Sequence, residues 1–162
     1  MSLEQYKKKR KKPLPTLSAY AKKRKFSETP EPAGKSIKTS GKKTIFVIHD
    51  HHASHHHYDL RLEMNGVLAS WAVPKEPPIS KGTKRLAIHV EDHPLEYAKF
   101  HGTIPEGNYG AGKVEIWDSG NYVLRNKNPD KIEFELKGKK LKGNFILIKT
   151  SYVKNGWLWF KV

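Results

Sequence analysis

The stretch Tyr58-Asp59-Leu60-Arg61-Leu62-Glu63-Met64-Asn65-Gly66-Val67-Leu68-Ala69-Ser70-Trp71-Ala72-Val73 decides the fold class. Its first arm alternates polar and apolar residues with the period of two that a strand requires. Asn65-Gly66 supplies two residues that tolerate positive φ at the centre of a tight hairpin turn. The second arm then returns through Val67 to Val73 and ends at Pro74. Upstream, Thr44 to His49 is dense in β-branched and aromatic residues and reads as another strand. Downstream, 76–82 is loop, and Arg85 to Val90 and Lys113 to Trp117 are strands. Asp118-Ser119-Gly120 reads as a turn. Tyr122 to Leu124, Ile132 to Leu136, Phe145 to Thr150 and Trp157 to Val162 complete the series. Nothing in this body keeps a helical period for long. The expected fold is all-β: a compact antiparallel β-barrel of short strands, favoured over a sandwich.

The chain has 162 residues and a formal charge of +15. That charge is uneven. Residues 1–43 carry 14 basic and 3 acidic side chains, a net of +11, which leaves 17 and 13, a net of +4, for residues 44–162. The expected organisation is a basic, flexible and partly disordered N-terminal arm over 1–25, followed by a barrel domain over 26–162. Lys7 to Lys12 is an unbroken basic run suited to DNA or RNA phosphates through counterion release. A short helix over Leu17 to Lys25, an extended Thr29-Pro30-Glu31-Pro32 segment and a polar linker from Gly34 to Lys43 are expected before the first strand. The absence of cysteine excludes disulfides, thiolate metal sites and cysteine nucleophiles. No apolar run approaches a membrane span, and no apolar signal core follows the basic start. A soluble cytoplasmic protein without a membrane partner is expected.

The chemistry concentrates in His51-His52-Ala53-Ser54-His55-His56-His57-Tyr58-Asp59-Leu60-Arg61. His57, Asp59 and Arg61 share parity within one strand and so share a face. A loop through Ala53-Ser54 can return His51 to that face. His51, His57 and Asp59 are the candidate metal shell, with positions left for water and a phosphoryl oxygen. Two imidazoles and a carboxylate suit Mn²⁺, Fe²⁺ or Zn²⁺, and ligand type does not choose among them. Arg61 presents a fork of donors for phosphate oxygens. The competing reading is a surface histidine cluster that binds metal adventitiously, with His52, His55 and His56 as bystanders. Arg85, His89, Glu91 and His93 share parity on a later strand; His93 is a candidate for phosphate contact or proton transfer, and His89 equally a core-edge residue. Lys75 could bring positive charge to the rim. Ile104 to Gly112 reads as a tight loop rather than a nucleotide-binding loop. Trp157 and Trp159 read as core.

Several motifs in order carry a resemblance: His51-x-Ala53-Ser54-x-x-His57-Tyr58-Asp59-x-Arg61-Leu62-Glu63, then Gly66-Val67-Leu68-x-Ser70-Trp71-Ala72-Val73-Pro74-Lys75. Arg85-Leu86-Ala87, Glu91-Asp92-His93-Pro94-Leu95, Ile104-Pro105-Glu106-Gly107-x-Tyr109-Gly110-Ala111-Gly112, Trp117-Asp118-x-Gly120 and Trp157-Leu158-x-x-Lys161 continue it. Together they resemble the 3′-phosphoesterase module of the bacterial end-joining DNA ligase D, in a stand-alone archaeal or bacterial form. The resemblance implies a β-barrel enzyme of DNA repair by non-homologous end joining. Such an enzyme removes a 3′-terminal ribonucleoside as a phosphodiesterase, then the 3′-phosphate as a phosphomonoesterase, leaving a 3′-OH. It implies manganese as cofactor, with Zn²⁺, Co²⁺ or another divalent metal as alternatives. By motif match His51, His57 and Asp59 correspond to metal ligands, and Arg61 and His93 to the phosphate-contacting pair. Lys75, Arg85 and Glu91 correspond to supporting active-site residues, and Glu31 to an essential N-terminal glutamate. The implied partners are DNA or DNA/RNA 3′ ends on a primer-template, with separate ligase, polymerase and end-binding repair proteins. A monomer associated with the prokaryotic nucleoid is expected. The chain departs from the pattern in extra histidines at 49, 52, 55 and 56 and in His101, which stands where the family is often acidic. Two rivals remain: a non-catalytic nucleic-acid-binding barrel, and a metal-dependent endonuclease. A cupin-like small-molecule enzyme would leave the basic arm unused.

Overall fold

A computed structural model describes residues 17–34 and 43–162. The basic run Lys7 to Lys12 and most of the polar linker lie outside the described residues. Nine strands occur among the described residues: β1 (Ile45–His52), β2 (His57–Met64), β3 (Val67–Val73), β4 (Lys84–Pro94), β5 (Gly102–Ile104), β6 (Gly112–Asn128), β7 (Lys131–Lys137), β8 (Lys142–Lys149) and β9 (Gly156–Lys161). They hydrogen-bond in the order β1-β2-β3-β4-β9-β8-β7-β6-β5, and β1 also pairs with β6. That extra pairing closes eight strands into a barrel and leaves β5 on the flank of β6. Every pairing is antiparallel. Closure removes the free edges that an open sheet would expose. The Asn65-Gly66 turn stands as expected, with φ of 52° and 82°. Among the described residues no helix is long and apolar enough to cross a membrane.

Period-two alternation divides the hairpin between two environments. Phe46 and Ile48 of β1, Leu60 and Leu62 of β2, and Trp71 and Val73 of β3 point into the barrel, where Phe134, Phe145, Leu147 and Trp159 meet them. Trp157 and Trp159 belong to this interior, as the sequence indicated. The opposite face of the same strands is buried as well. Val47 and Leu68 pack outward into a second apolar cluster with Tyr20, Tyr97, Phe100, Ile104 and Val114. This outer cluster exists because three pieces of chain cover the barrel wall. They are a short helix, α1 (Ser18–Lys22), the 3₁₀ turn Leu95–Lys99, and the segment around β5. Tyr20 is fully buried there, and its hydroxyl donates to the Pro32 carbonyl. Leu17 to Lys25, assigned by composition to the flexible arm, thus includes a segment packed on the wall.

The turn expected at Asp118-Ser119-Gly120 is instead the middle of β6, a strand of 17 residues. The strand bends there and changes partner. Residues 113–121 pair with β1, and 121–128 with β7. A register shift between Ile48 and His49 absorbs the bend. Asp118, buried, ties the bend to the β7–β8 connection: its carboxylate accepts the backbone N–H groups of Ser119, Lys139, Lys140 and Leu141 at 2.8–3.2 Å. A Cβ at Gly120 would stand 2.3 Å from the Lys137 carbonyl oxygen, so only glycine lets the chains approach this closely. A polar dipeptide before a glycine signals a turn locally; the tertiary role is a corner. Asp118→Ala should leave the buried Leu141 amide and three part-buried amides without this acceptor and lower stability by about 1–3 kcal/mol, measured by urea denaturation of the two proteins.

Candidate active site on the outer wall of the barrel

The outward parity of β1 and β2 builds the site. His51 is paired directly with His57 across the two strands, and His49 with Asp59. Direct cross-strand pairs place side chains on one face a few ångströms apart. His51, His57, Asp59 and Arg61 therefore line one pocket of about 340 Å³, joined by His93 of β4 and Arg24 after α1. His51 reaches this face from β1 itself, with no need of the loop through Ala53-Ser54.

Each imidazole is oriented by a backbone carbonyl. His51 Nε2–H donates to Gly110 O at 2.7 Å, which leaves Nδ1 facing Asp59 Oδ2 at 3.7 Å. His57 Nδ1–H donates to His55 O at 2.9 Å, which leaves Nε2 facing the same oxygen at 3.2 Å. Such outer hydrogen bonds fix tautomer and ring direction at metal centres. The three ligand atoms lie within 4.8 Å of one another. Two lone pairs and a carboxylate oxygen converging on one point fit a divalent cation of borderline character. Burial opposes charge on Asp59. The Arg61 guanidinium and the His51 and His57 rings outweigh it and hold the carboxyl well below the usual range. Burial likewise opposes a proton on His57, but the bond to Asp59 overcomes it and raises the imidazole. A proton and a cation thus compete for His57 Nε2.

Arg61 is buried and fixed from several sides. Its Nε donates to His49 Nδ1 at 3.1 Å and NH1 to Ser70 Oγ at 3.0 Å. NH2 lies 3.4 Å from Asp59 Oδ2, and the guanidinium carbon sits 4.8 Å from the centre of the Tyr97 ring. His49 is fully buried and gives its own Nε2–H to Phe100 O at 2.9 Å. Burial, then Arg61, pushes its pKa down to about 3. A permanently neutral His49 is what allows Nδ1 to accept from a cation. His93 follows the same logic. Its Nδ1–H donates to Glu91 O at 3.0 Å, and Nε2 faces Arg24 NH2 at 3.4 Å. Burial, then Arg61 and Arg24, holds this imidazole well below its ordinary pKa. Burial and the two arginines thus disfavour a proton on His93 in the free protein.

Residues 49–149 match the family model described as the DNA Ligase D 3′-phosphoesterase domain. The chain belongs to that family. The chain is 48% identical over 145 residues to the multifunctional non-homologous end joining protein LigD of Mycolicibacterium smegmatis, covering 83% of this chain and 19% of that protein. It is 48% identical over 139 residues to the multifunctional non-homologous end joining DNA repair protein LigD of Mycobacterium tuberculosis, covering 83% and 18%. With the LigD protein of Pseudomonas aeruginosa identity is 46% over 152 residues, covering 90% and 18%. The chain thus spans about a fifth of the length of these relatives.

The remaining candidate residues divide by position. Glu91 borders the pocket, and its carboxylate pairs with Lys23 at 3.0 Å. Glu31 is buried behind the pocket wall rather than in it. It accepts Arg24 Nε at 2.8 Å, the Tyr97 hydroxyl at 2.7 Å and the Thr29 hydroxyl at 2.9 Å. Lys75 is exposed, and Arg85 Nε donates to Glu76 O at 2.7 Å; neither forms part of the pocket wall. His89 is exposed and stacks on Trp71 at 5.1 Å, away from the site. The glycine-rich loop after β5 contributes Tyr109 and Gly110 to the rim. Arg24 and His49 were missed from sequence. Arg24 sits in Lys22-Lys23-Arg24-Lys25, where a basic run hides one residue of distinct duty. His49 was counted among surplus histidines, although its odd parity with His51 was a usable signal.

Glu31 thus holds Arg24 in place. Glu31→Gln keeps the shape but places an amide N–H₂ opposite one of three donors. We expect a stability loss of about 1–3 kcal/mol, together with slower turnover that Arg24→Ala does not deepen. Equilibrium unfolding and a double-mutant kinetic cycle check both parts.

Proposed function

We propose that this chain is a divalent-metal-dependent phosphoesterase that processes DNA 3′ ends, removing a 3′-terminal ribonucleoside and then the 3′-phosphate to leave a 3′-OH. One observation carries the reading. The His51–His57–Asp59 set opens into the same pocket as two guanidiniums and a neutral imidazole. A divalent cation held by these three residues, with manganese the first choice, would neutralise phosphoryl charge as a Lewis acid. Arg61, pinned through Nε and NH1, keeps its NH2 end at that oxygen set without reorganising. Such preorganised donors are worth most in a shielded pocket. Arg24, anchored by Glu31, meets the phosphate from the α1 side. His93 stands between the two arginines, and its Nε2, which faces Arg24 NH2 at 3.4 Å, would accept a proton or a hydroxyl hydrogen bond from the substrate as Arg24 turns to the phosphate.

The basic charge of residues 1–43 supports a nucleic-acid substrate over a small phosphate ester. The LigD relatives are named for non-homologous end joining, which supports an assignment to DNA-end repair; the proposal places the chain in the prokaryotic cytoplasm, with separate ligase and polymerase proteins as partners. A 5′-labelled primer with one 3′ ribonucleotide, incubated with and without Mn²⁺, tests the proposal at single-nucleotide resolution. Metal-dependent loss of one terminal unit, then conversion of 3′-phosphate to 3′-OH, is expected. A ladder of internal cuts would establish an endonuclease instead, and an unchanged but bound primer a non-catalytic barrel.

A further inference from the structure

The end of the β1–β2 hairpin carries a second set of ligand atoms, on the face opposite the pocket. Asp50 and His52 of β1 alternate with His51, so their side chains leave the strand on the barrel-interior side, with Ile48. His56 precedes His57 and does the same from the other strand. His52 Nε2 lies 3.3 Å and His56 Nε2 2.5 Å from one oxygen, Asp50 Oδ1. The two rings are stacked 4.4 Å apart and only 7° from parallel. Both Nε2 atoms are aimed at that one carboxylate oxygen, so three ligand atoms converge on one point. Tyr58, packed on the barrel core, floors the group at 5.2 Å from the His56 ring.

We propose that Asp50, His52 and His56 form a second divalent transition-metal site at the mouth of the barrel, separate from the pocket site. The three ligand atoms lie within 4.8 Å of one another, as in the pocket set. Two imidazoles and one carboxylate select Zn²⁺, Co²⁺, Ni²⁺ or Cu²⁺ over Mg²⁺ or Ca²⁺, which prefer oxygen-rich shells. The side chains of His52 and His56 are about half exposed, at 49% and 48%, so more freedom is lost on binding than in the pocket. The mouth site is therefore the weaker of the two. Its place gives it a consequence. His52 and His56 bracket Ala53, Ser54 and His55, which line the pocket, and the His55 carbonyl orients the His57 ring. An ion joining His52 to His56 would staple the base of that loop and order one wall of the active site from outside.

Titration calorimetry of chelator-treated protein with Zn²⁺ tests this. The wild type is expected to bind two ions per chain, one at each ligand group. His52→Gln/His56→Gln should bind one ion and retain the tighter event; Asp59→Asn should lose the tighter event and retain the weaker. Asp50→Asn, which keeps side-chain size, should abolish the same event as the double glutamine variant. Melting curves in EDTA should show all these proteins folded. Amide exchange over residues 53–56 should slow with the second equivalent of zinc in the wild type and not in His52→Gln/His56→Gln. One ion per chain in the wild type, two ions in the double variant, or exchange that is indifferent to the second equivalent would each overturn the site.

Discussion

Arg61→Lys should turn over a 3′-phosphate ester about 10²–10³-fold more slowly, the usual cost of losing one preorganised charge-stabilising donor, while Mn²⁺ still binds. The substitution keeps the positive charge, so a purely long-range electrostatic role would survive it. What it removes is the planar fork. Arg61 spends Nε on His49 and NH1 on Ser70, and only then has NH2 left at Asp59 and the pocket. A lysine ammonium is a single point that cannot meet His49 Nδ1, Ser70 Oγ and a phosphate oxygen together. The loss should fall mainly on kcat, because the fixed geometry matters most when charge develops. Binding of DNA ends should change little, since the basic arm supplies most phosphate neutralisation. Steady-state kinetics with Mn²⁺ calorimetry and a thermal melt separate the outcomes. A near-normal kcat in a folded protein would remove Arg61 from the chemistry. His49→Phe, which fills similar volume without an acceptor, should reproduce part of the loss by releasing Nε.

Asp59→Asn should abolish metal-dependent activity altogether. Asp59 Oδ2 is the atom on which both imidazoles and Arg61 converge. Replacing the carboxylate by an amide removes one negative charge and risks turning an N–H₂ toward two ring nitrogens. Mn²⁺ binding in the pocket should then vanish at concentrations that saturate the wild type, and turnover should fall to the metal-free level. The buried Arg61 charge loses its counterion in the same step, and breaking such a pair costs about 3–5 kcal/mol. Part of this is recovered because the amide oxygen still accepts from the guanidinium. The barrel interior faces the other way, so the fold should persist with a lower midpoint in urea. Retained metal-stimulated phosphate release by a folded Asp59→Asn protein would overturn the assignment of the pocket metal site.

The hairpin reading was sound because its signals are local. Asn65-Gly66 has few alternatives to a tight turn, and Val67–Val73 was bounded by that turn and by Pro74. The shared face of His57, Asp59 and Arg61 follows from strand parity alone, which no tertiary contact alters. Where the placement of a residue differs from the local expectation, the cause is distance along the chain. Asp118-Ser119-Gly120 looked like a turn because the amides that Asp118 serves belong to 139–141. Glu31 was expected among the active-site residues, but it faces Arg24 seven residues earlier and Tyr97 sixty-six residues later. Lys75 and Arg85, expected by motif match as supporting residues, sit near strand ends outside the pocket wall.

Alternation and turn chemistry by themselves determined an antiparallel β protein with an imidazole, a carboxylate and a guanidinium on one strand face. They did so because side-chain direction in a strand repeats every two residues, whatever surrounds it. Which side of the barrel that face occupies was decided only by closure of β1 on β6 and by the Tyr20–Tyr97 cluster that roofs the outer wall. Burial, neutral histidines and the Arg24–Glu31 pair arise from those long-range contacts. A pocket with its own electrostatics needs walls drawn from distant parts of the chain, and no window of sequence contains them.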